Sequence, residues 1–329
     1  MRSRACSRAG PQKETRRPAL AEEQSAAASR NRWLSRRGLL RASGVTALLT
    51  AGTAAYGAVI EPWSAPALRS YRLTPPGWPL DLKLRMAVLA DIHAAEPLMP
   101  AERVAAICET ANGLKPDIIA LLGDYMTTHP FVSAPVPNEA WSAALKVLRA
   151  PLGVHAILGN HDWWDDRKAQ SSKRGPCAAR AAIEKAGIPV YENDAVRLSK
   201  DGRPFWLVGL GDQIAFRLGR RRYRGVDDLS GAMAKVGDSS PVILLAHEPD
   251  IFVRVGKRVS LTLSGHTHGG QVRFLGYSPL VPSKFGNRFA YGHVVEDGRH
   301  LVISGGLGCS IMPVRINVPP EIVLIELGA

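Results

Sequence analysis

The chain contains eight short apolar runs, and polar residues of types that carry chemistry follow five of them directly. The runs have the length and the Val, Ile and Leu content of buried β-strands. They lie at residues 84–90, 117–122, 154–158, 205–210, 241–246, 259–264, 300–304 and 321–327. A chain with this pattern is constrained to build its core from short sheet strands.

Amphipathic helical patterns separate several of these runs. They cover residues 100–114, 138–150 and 178–187. The last two strands follow one another without a helix, so the body is expected to turn antiparallel late in the chain. The alternation predicts an α/β protein, and 46% apolar residues are enough for a substantial core.

The N-terminal region differs from the rest in charge. Residues 1–41 carry +8 of the total net charge of +13, so the basicity does not favour nucleic acid as a partner of the folded body. The paired arginine of SRRGLLR, residues 35–41, precedes a mildly apolar run at 42–60, and small residues at 65–67 offer a cleavage site. This pattern resembles a twin-arginine export signal.

Two alternatives to a cleaved signal stay open, an uncleaved anchor and a disordered basic tail. The apolar run is rich in Ala, Gly and Thr and is therefore expected to be a poor membrane-spanning helix. The predicted organisation is a basic region with a signal or anchor at 1–67, a Pro-rich connector at 68–80 and one domain at 81–329. The twin-arginine translocase is the expected export partner. The mature protein is expected outside the cytoplasm or on the outer face of the cytoplasmic membrane.

The polar residues at the strand ends fall in five separate segments. They are Asp91 and His93; Gly123-Asp124; Gly159-Asn160-His161-Asp162; His247; and His266 with His268. Ligands of open α/β sheets bind beyond the carboxyl ends of the strands, so we expect these segments to meet at one edge. A single histidine at a strand end is usually structural, but the joint pattern indicates a metal site.

The ligand types narrow the choice of metal. Carboxylate, amide and imidazole groups without thiolates favour Mn, Fe or Zn, and the four cysteines are scattered with no C-x-x-C pair. The segments contain more candidate ligands than a single tetrahedral zinc ion can use. They predict two divalent ions that share a bridging carboxylate.

In this order the segments D-x-H, G-D, G-N-H-D, a single H and G-H-x-H resemble the calcineurin-like metallophosphoesterase superfamily across residues 85–270. The resemblance implies a four-layer α/β/β/α sandwich. It also implies a complete set of metal ligands: Asp91, His93 and His268 for one ion, Asn160, His247 and His266 for the other, and Asp124 as the bridge.

The same resemblance implies a reaction. His161 is not a ligand in that family, so we expect it to act as a general acid, with Asp162 orienting its ring. The expected nucleophile is a metal-bridging hydroxide. The predicted chemistry is hydrolysis of a phosphate ester, with a diester favoured, in a phosphorylated small molecule or lipid.

Other functions stay open beside this one. The stretch at 304–327 is similar to an exported or membrane-associated branch of the superfamily, of which some members cleave UDP-diacylglucosamine, a lipid A precursor. A pyrophosphatase of lipid A biosynthesis is therefore an alternative, although nucleotide-linked precursors are cytoplasmic. A non-catalytic metal-binding protein is the alternative of another class, which the intact His161–Asp162 pair disfavours. The modest charge of the body disfavours a nuclease.

Three further features allow two interpretations each. Arg315 either contacts a substrate phosphate or pairs with Glu321. The arginine-rich segment at 216–224 is either a solvated loop or a surface for phosphorylated substrates or lipid head groups. The pair Trp163 and Trp164 is expected in the core or the pocket wall, with contact to acyl chains as the alternative.

Overall fold

The computed structural model describes residues 36–128, 131–310 and 312–328. They divide into two units, the first ending at Ala54 and the second beginning at Ala55. Helix α1 spans Arg36–Ala55. By length and composition alone, the helical stretch Arg36–Trp63 is able to cross a membrane, a test that a signal sequence near an N-terminus also passes. Ser35 and the basic region before it lie outside the described residues.

The second unit alternates short strands with helices. Its strands are β1 (Ala67–Leu73), β2 (Leu84–Leu89), β3 (Ala95–Glu96), β4 (Ile118–Leu121), β5 (Ala134–Pro135), β6 (Val154–Ala156), β7 (Asp194–Lys200), β8 (Arg203–Gly209), β9 (Phe216–Gly219), β10 (Arg222–Arg224), β11 (Val242–Leu245), β12 (Leu261–Ser264), β13 (Gly292–Glu296), β14 (Arg299–Ile303) and β15 (Glu321–Leu327). Its helices are α2 (Ala101–Gly113), α3 (Asn138–Leu145), α4 (Asn160–Trp164), α5 (Arg167–Ser172), α6 (Ala178–Lys185) and α7 (Leu229–Ala234).

Two sheets form the centre of this unit. The first has the order β1-β15-β2-β4-β6, and only the β15–β2 pair is antiparallel. The second has the order β13-β14-β12-β11-β8-β7, with antiparallel pairs at its two margins. Parallel strands therefore form β2-β4-β6 in the first sheet and β14-β12-β11-β8 in the second, and their carboxyl ends share one edge.

Three apolar clusters fix the order of the layers. One cluster joins β2, β4 and β6 to the helices α2, α3 and α6. A second fills the space between the two sheets and includes Met86, Phe205 and Ile243. The third covers the outer face of the second sheet with Phe252 and Phe289, which lie in 3-10 turns. The predicted four-layer α/β/β/α sandwich is confirmed.

The predicted strands and helices are all present, but two details of the organisation differ. Residues 67–73, which fall at the boundary between the predicted signal and the connector, form strand β1, because their backbone pairs in parallel with β15 along the sheet edge. The successive strands β14 and β15 lie in different sheets, so they are not paired with each other. The late antiparallel character comes instead from β13 with β14 and from β15 with β2.

A substitution at Phe205 tests the apolar packing between the two sheets. Its side chain is fully buried and lies against Trp78, with ring centroids 5.9 Å apart. Phe205→Ala is expected to lower the free energy of unfolding by about 3–5 kcal/mol, because it removes buried area and leaves a cavity. Urea denaturation measures this change. The exposed Leu280 gives the matched control, since Leu280→Ala should change stability by less than about 0.5 kcal/mol. Equal effects of the two substitutions would contradict the assigned layer.

Candidate metal centre

The loops that follow β2, β4, β6, β11 and β12 meet at the shared edge of the sheets. Backbone hydrogen bonds hold them in register there. Asp91 N donates to Gly123 O at 3.1 Å, and His93 N donates to Asp124 O at 2.9 Å. Gly265 N donates to His247 O at 3.0 Å, which joins the loops after β12 and β11. The convergence predicted from the strand ends is therefore present.

Five of the side chains at this edge sit on a backbone with positive φ, which costs free energy for residues other than glycine. Such strain persists where the surrounding structure over-determines it, and it concentrates at functional sites. The five residues and their φ angles are Asp91 (53°), His93 (49°), Asp124 (56°), His266 (68°) and His268 (51°). The loops thus turn sharply at the residues that carry the chemistry.

Two glycines allow the loops to come this close. A Cβ atom on Gly159 would lie 2.4 Å from Asp124 Oδ1, and one on Gly265 would lie 2.5 Å from Asp91 Oδ2. Real Cβ atoms do not approach oxygen so closely, so any other residue would push the carboxylates away. Gly159 and Gly265 are therefore required because the carboxylates of Asp124 and Asp91 lie so close to them.

The side chains form two adjacent groups of candidate ligands, and a third combination, His93, Asp124 and His161, overlaps both. Asp91, His93 and His268 make one group, and Asp124, His247 and His266 make the other. Asp124 Oδ2 lies 3.6 Å from His93 Nε2 and 3.2 Å from His247 Nε2, so this carboxylate touches a member of each group. The groups also approach each other at Asp91 Oδ1, which is 4.0 Å from His247 Nε2.

The two carboxylates are buried, which disfavours negative charge unless it is compensated. Burial and the nearby Asp124 raise the pKa of Asp91 to about 7 against the opposing effect of His247. Burial also disfavours the charge on Asp124, but His247 and His161 outweigh it and hold the pKa of Asp124 well below its usual value. Two acids at the same depth therefore have pKa values moved in opposite directions, and Asp124 is the one kept ionised.

The imidazoles of three ligand positions are held neutral. Burial lowers the pKa of His93 to about 3 and also lowers the pKa values of His266 and His268. Neutral imidazole is the form that offers a lone pair to a metal ion. His247 differs, because Asp124 outweighs burial and raises its pKa. Its Nδ1 donates to Leu122 O at 2.6 Å, which directs Nε2 to the centre.

Orphaned polar atoms support a cation at this place. Within the described residues, the buried atom Asn160 Oδ1 has no hydrogen-bond partner, and His247 Nε2, 3.2 Å from Asp124 Oδ2, makes no hydrogen bond of proper geometry. Unpaired buried polar atoms are rare in native proteins and call for a specific explanation. A nitrogen and oxygen donor set with two buried carboxylates fits divalent ions, so the residues present match the group that the sequence predicts.

His161 stands beside the candidate ligands and is held by a different carboxylate from the one predicted. Its Nδ1 lies 3.0 Å from Asp165 Oδ2, and Thr128 Oγ1 donates to Asp165 Oδ1 at 2.6 Å. Its Nε2 lies 3.5 Å from Ser310 Oγ. Burial disfavours the imidazolium, but Asp124 and Asp165 outweigh it and raise the pKa of His161. The ring is thus fixed in position and favoured in its protonated form.

The contacts of Asp162 differ from the predicted orientation of the His161 ring. Its Oδ2 accepts hydrogen bonds from Asp124 N at 3.0 Å and Gly159 N at 2.8 Å, and its Oδ1 accepts from Tyr125 N at 2.9 Å. Residues one apart on a helix do not share a face, so Asp162 points away from the His161 ring. It ties together the two loops that carry Asp124 and Asn160. Asp165, four residues after His161, occupies the predicted orienting position.

The contacts of Arg315 match neither the substrate-binding role predicted for it nor the alternative pairing with Glu321. Arg315 is fully buried, and its guanidinium donates to the carbonyl oxygens of Gly305, Gly308 and Val318. Glu321 accepts instead from Gly305 N at 2.7 Å and from a tyrosine hydroxyl. Arg315 therefore stabilises the loop next to His268. The distance from Arg315 Nη2 to His268 Nδ1 is 3.3 Å.

Asp165 and Ser310 are the residues at this site that sequence reasoning missed. The spacing of four residues from His161 was a usable signal, because α4 puts both on one face. Ser310 had no such signal, since it comes from a loop 149 residues further along the chain.

Asp165→Asn tests the hold on His161. The substitution removes a charge that favours the imidazolium, so the pKa of His161 is expected to fall. The pKa is measured by NMR titration of the ring, with the signal assigned by its loss in His161→Asn. Asp166→Asn is the matched control, because Asp166 caps helix α5 and does not contact His161. An unchanged pKa of His161 in Asp165→Asn would contradict the assignment.

Comparison with known proteins places this geometry in a family. A family model described as calcineurin-like phosphoesterase matches residues 84–270. The chain is 29% identical to the uncharacterized metallophosphoesterase YkuE of Bacillus subtilis, over 74% of this chain and 78% of the relative. It is 30% identical to an uncharacterized metallophosphoesterase of Aquifex aeolicus, over 76% and 87%, and 29% identical to phosphodiesterase YaeI of Escherichia coli, over 74% and 82%. The chain therefore belongs to the calcineurin-like phosphoesterase family and is a metal-dependent phosphoester hydrolase.

Proposed function

We propose that the protein is a dinuclear metal-dependent phosphodiesterase. The observation that carries the proposal is the position of Asp124, whose Oδ2 touches His93 in one group of candidate ligands and His247 in the other. A carboxylate between two such groups suits a bridge between two ions. Asp91 and His268 would complete one site, with Oδ1 and Nε2 lying 3.6 Å apart. Asn160 and His266 would complete the other.

The donor set fits Mn, Fe or Zn, because it combines imidazole with hard oxygen ligands and contains no thiolate. When bound, the ions would supply Lewis acidity toward phosphoryl oxygens and would increase the acidity of a water molecule. The side chains of the protein would hold the ions in a buried setting, where electrostatic interactions are stronger than in water.

His161 is proposed as the proton donor to the leaving oxygen. Its Nδ1 is engaged by Asp165, so Nε2 is the atom that carries the transferable proton. Asp124 and Asp165 outweigh the effect of burial and raise the pKa of His161, which favours the charged ring. A metal-binding protein without catalysis would gain nothing from a buried histidine held in this way beside the ligands, so catalysis is favoured over simple metal storage.

A diester is proposed as the substrate class because one relative, YaeI, is named a phosphodiesterase. Hydrolysis of a diester is therefore assayed beside two other classes of substrate. These are a phosphomonoester and a nucleotide–lipid pyrophosphate such as UDP-diacylglucosamine. Turnover of the pyrophosphate alone would assign the protein to lipid A precursor cleavage instead.

His161→Asn and Asp124→Ala separate proton transfer from metal binding. His161→Asn is expected to keep about two ions per chain, with the rate on bis(para-nitrophenyl) phosphate lowered by less than for an alkyl diester. For the alkyl diester, whose leaving group needs the proton, a loss of about 100-fold or more is expected. Asp124→Ala is expected to lose both metal and turnover.

Elemental analysis of protein purified without chelator measures the metal, and product release measures the rate. Full alkyl-diester activity in His161→Asn would remove the proton-donor role. Absence of metal from the wild-type protein would overturn the dinuclear proposal.

Export by the twin-arginine route is proposed for the same protein, with the mature enzyme outside the cytoplasm or held at the outer face of the membrane. It is supported by Arg36 and Arg37, which open the helical stretch that ends at Trp63 and is long and apolar enough to cross a membrane. Active-site loops that bury several ligands must fold before they bind metal, which suits a route that carries folded proteins.

Replacing both Arg36 and Arg37 by lysine tests the export route. The pair keeps its charge but loses the arginine side chains, so export is expected to fall at least about tenfold. The measurement adds protease to cells whose outer layers have been permeabilised. Protein that has been exported is digested, and protein left in the cytoplasm is protected. Replacing Arg16 and Arg17 by lysine is the matched control and should leave export unchanged. Equal protease sensitivity of both variants would reject the twin-arginine route.

A further inference from the structure

An arginine-rich hairpin, formed by β9 and β10 and here called the basic hairpin, lies next to the metal centre. Residues 216–224 contain five arginines and no acidic residue. None of the five arginines makes an ion pair with a carboxylate in the described part of the chain. They are Arg217, Arg220, Arg221, Arg222 and Arg224. Charged side chains on the surface are common. A binding role for this cluster therefore depends on whether it is held in place and whether it lies near the metal centre.

The hairpin is held in place by specific contacts. Gln170 Nε2 donates to Ala215 O at 2.6 Å, and Arg217 N donates to Gln170 Oε1 at 3.1 Å. Lys173 Nζ donates to Arg217 O at 2.7 Å, and Arg224 Nη2 donates to Lys173 O at the same distance. Gln170 of helix α5 and Lys173 directly after that helix therefore fix the start of β9 and the end of β10.

Arg217 is the member that faces the catalytic side. Its Cζ atom lies 3.9 Å from the centre of the Trp164 ring, and Tyr223 stacks on the same tryptophan with centroids 5.4 Å apart. Trp164 is fixed in turn, because its Nε1 donates to Ile214 O at 2.8 Å. The Trp164 ring is 5.4 Å from that of His161. An exposed guanidinium is thus stacked one aromatic ring away from the proton donor.

The stack has a chemical consequence. A guanidinium lying flat on an aromatic ring keeps its edge N–H groups free, and it loses less rotational freedom when it binds an anion. The fork of donors matches two oxygens of a phosphate or carboxylate. Since His161 protonates the leaving oxygen, an anion bound at Arg217 would belong to the leaving-group side of the substrate.

We propose that Arg217, stacked on Trp164 and supported by the basic hairpin, forms an anion subsite for a second negatively charged group of the substrate. The substrate class is then a phosphodiester whose leaving alcohol carries a further phosphate or carboxylate. This inference rests on the proposed function, because it takes the centre at Asp124 and His161 as the place of ester hydrolysis.

Competitive inhibition tests the subsite without requiring the natural substrate. Hydrolysis of bis(para-nitrophenyl) phosphate by the full-length, metal-loaded protein is the reporter, and fructose monophosphate and fructose bisphosphate are the probes. The bisphosphate is expected to inhibit about five- to tenfold more tightly than the monophosphate, since it alone offers a second group to the charged fork. The ratio of the two inhibition constants is the readout, so changes in reporter turnover cancel.

Arg217→Ala is expected to bring this ratio close to one. Arg217→Lys should keep part of the preference, because it retains the charge but not the planar stack on Trp164. Arg222→Ala, on the partner strand, should reduce the ratio by about twofold or less. Lys257→Ala removes an exposed positive charge from the loop before β12, at the end of the sheet opposite the centre, and should leave the ratio as in the wild type.

The outcomes are separable. Wild-type protein that turns over the reporter without preferring the bisphosphate would overturn the subsite and leave the proposed function standing. Wild-type protein with bound metal but no turnover of any ester would overturn the proposed function itself. A ratio in Arg217→Ala equal to that of the wild type would also reject the assignment, provided that both proteins melt at the same temperature. The preference should weaken as NaCl is raised, because exposed charges are screened.

Discussion

Two carboxylates buried side by side are the constraint on which this protein depends. Asp91 is 0% exposed and Asp124 is 1% exposed, and charge at that depth is costly without compensation. Compensation comes from His247 and from backbone groups, since His266 N lies within 3.1 Å of both oxygens of Asp91 and His161 N donates to Asp124 Oδ1 at 2.7 Å. Cations at the neighbouring ligands would complete it.

The surrounding structure serves this cluster by holding loops rather than by supplying further ligands. Asp162 collects three backbone N–H groups, and Arg315 collects the carbonyl oxygens of three residues. Each is a buried ionisable group whose side-chain atoms are satisfied by the backbone, so each fixes loop shape over a wide span of sequence. Residues whose types suggest catalysis or phosphate binding thus act here as internal braces.

Predictions from the sequence succeeded where the chain has a local period. Eight apolar runs became strands, and the patterns beginning at residues 100, 138 and 178 became α2, α3 and α6. Strands β1, β7 and β13 were not predicted, because they are only partly buried and their formation depends on pairing with a neighbouring strand. The orienting role was predicted for Asp162 because it directly follows His161 in the sequence. In the structure Asp165, four residues after His161, lies on the same face as the His161 ring.

The sequence by itself determined the chemistry of the centre, because residue types at strand ends and their order along the chain specify the donor set and the family. Only the tertiary structure decided what lies around it. The contact of His161 with Ser310, the braces on the loops and the stack of Arg217 on Trp164 join residues far apart in sequence. Such contacts follow from how two sheets and their loops pack in three dimensions, and no local pattern of residues encodes that packing.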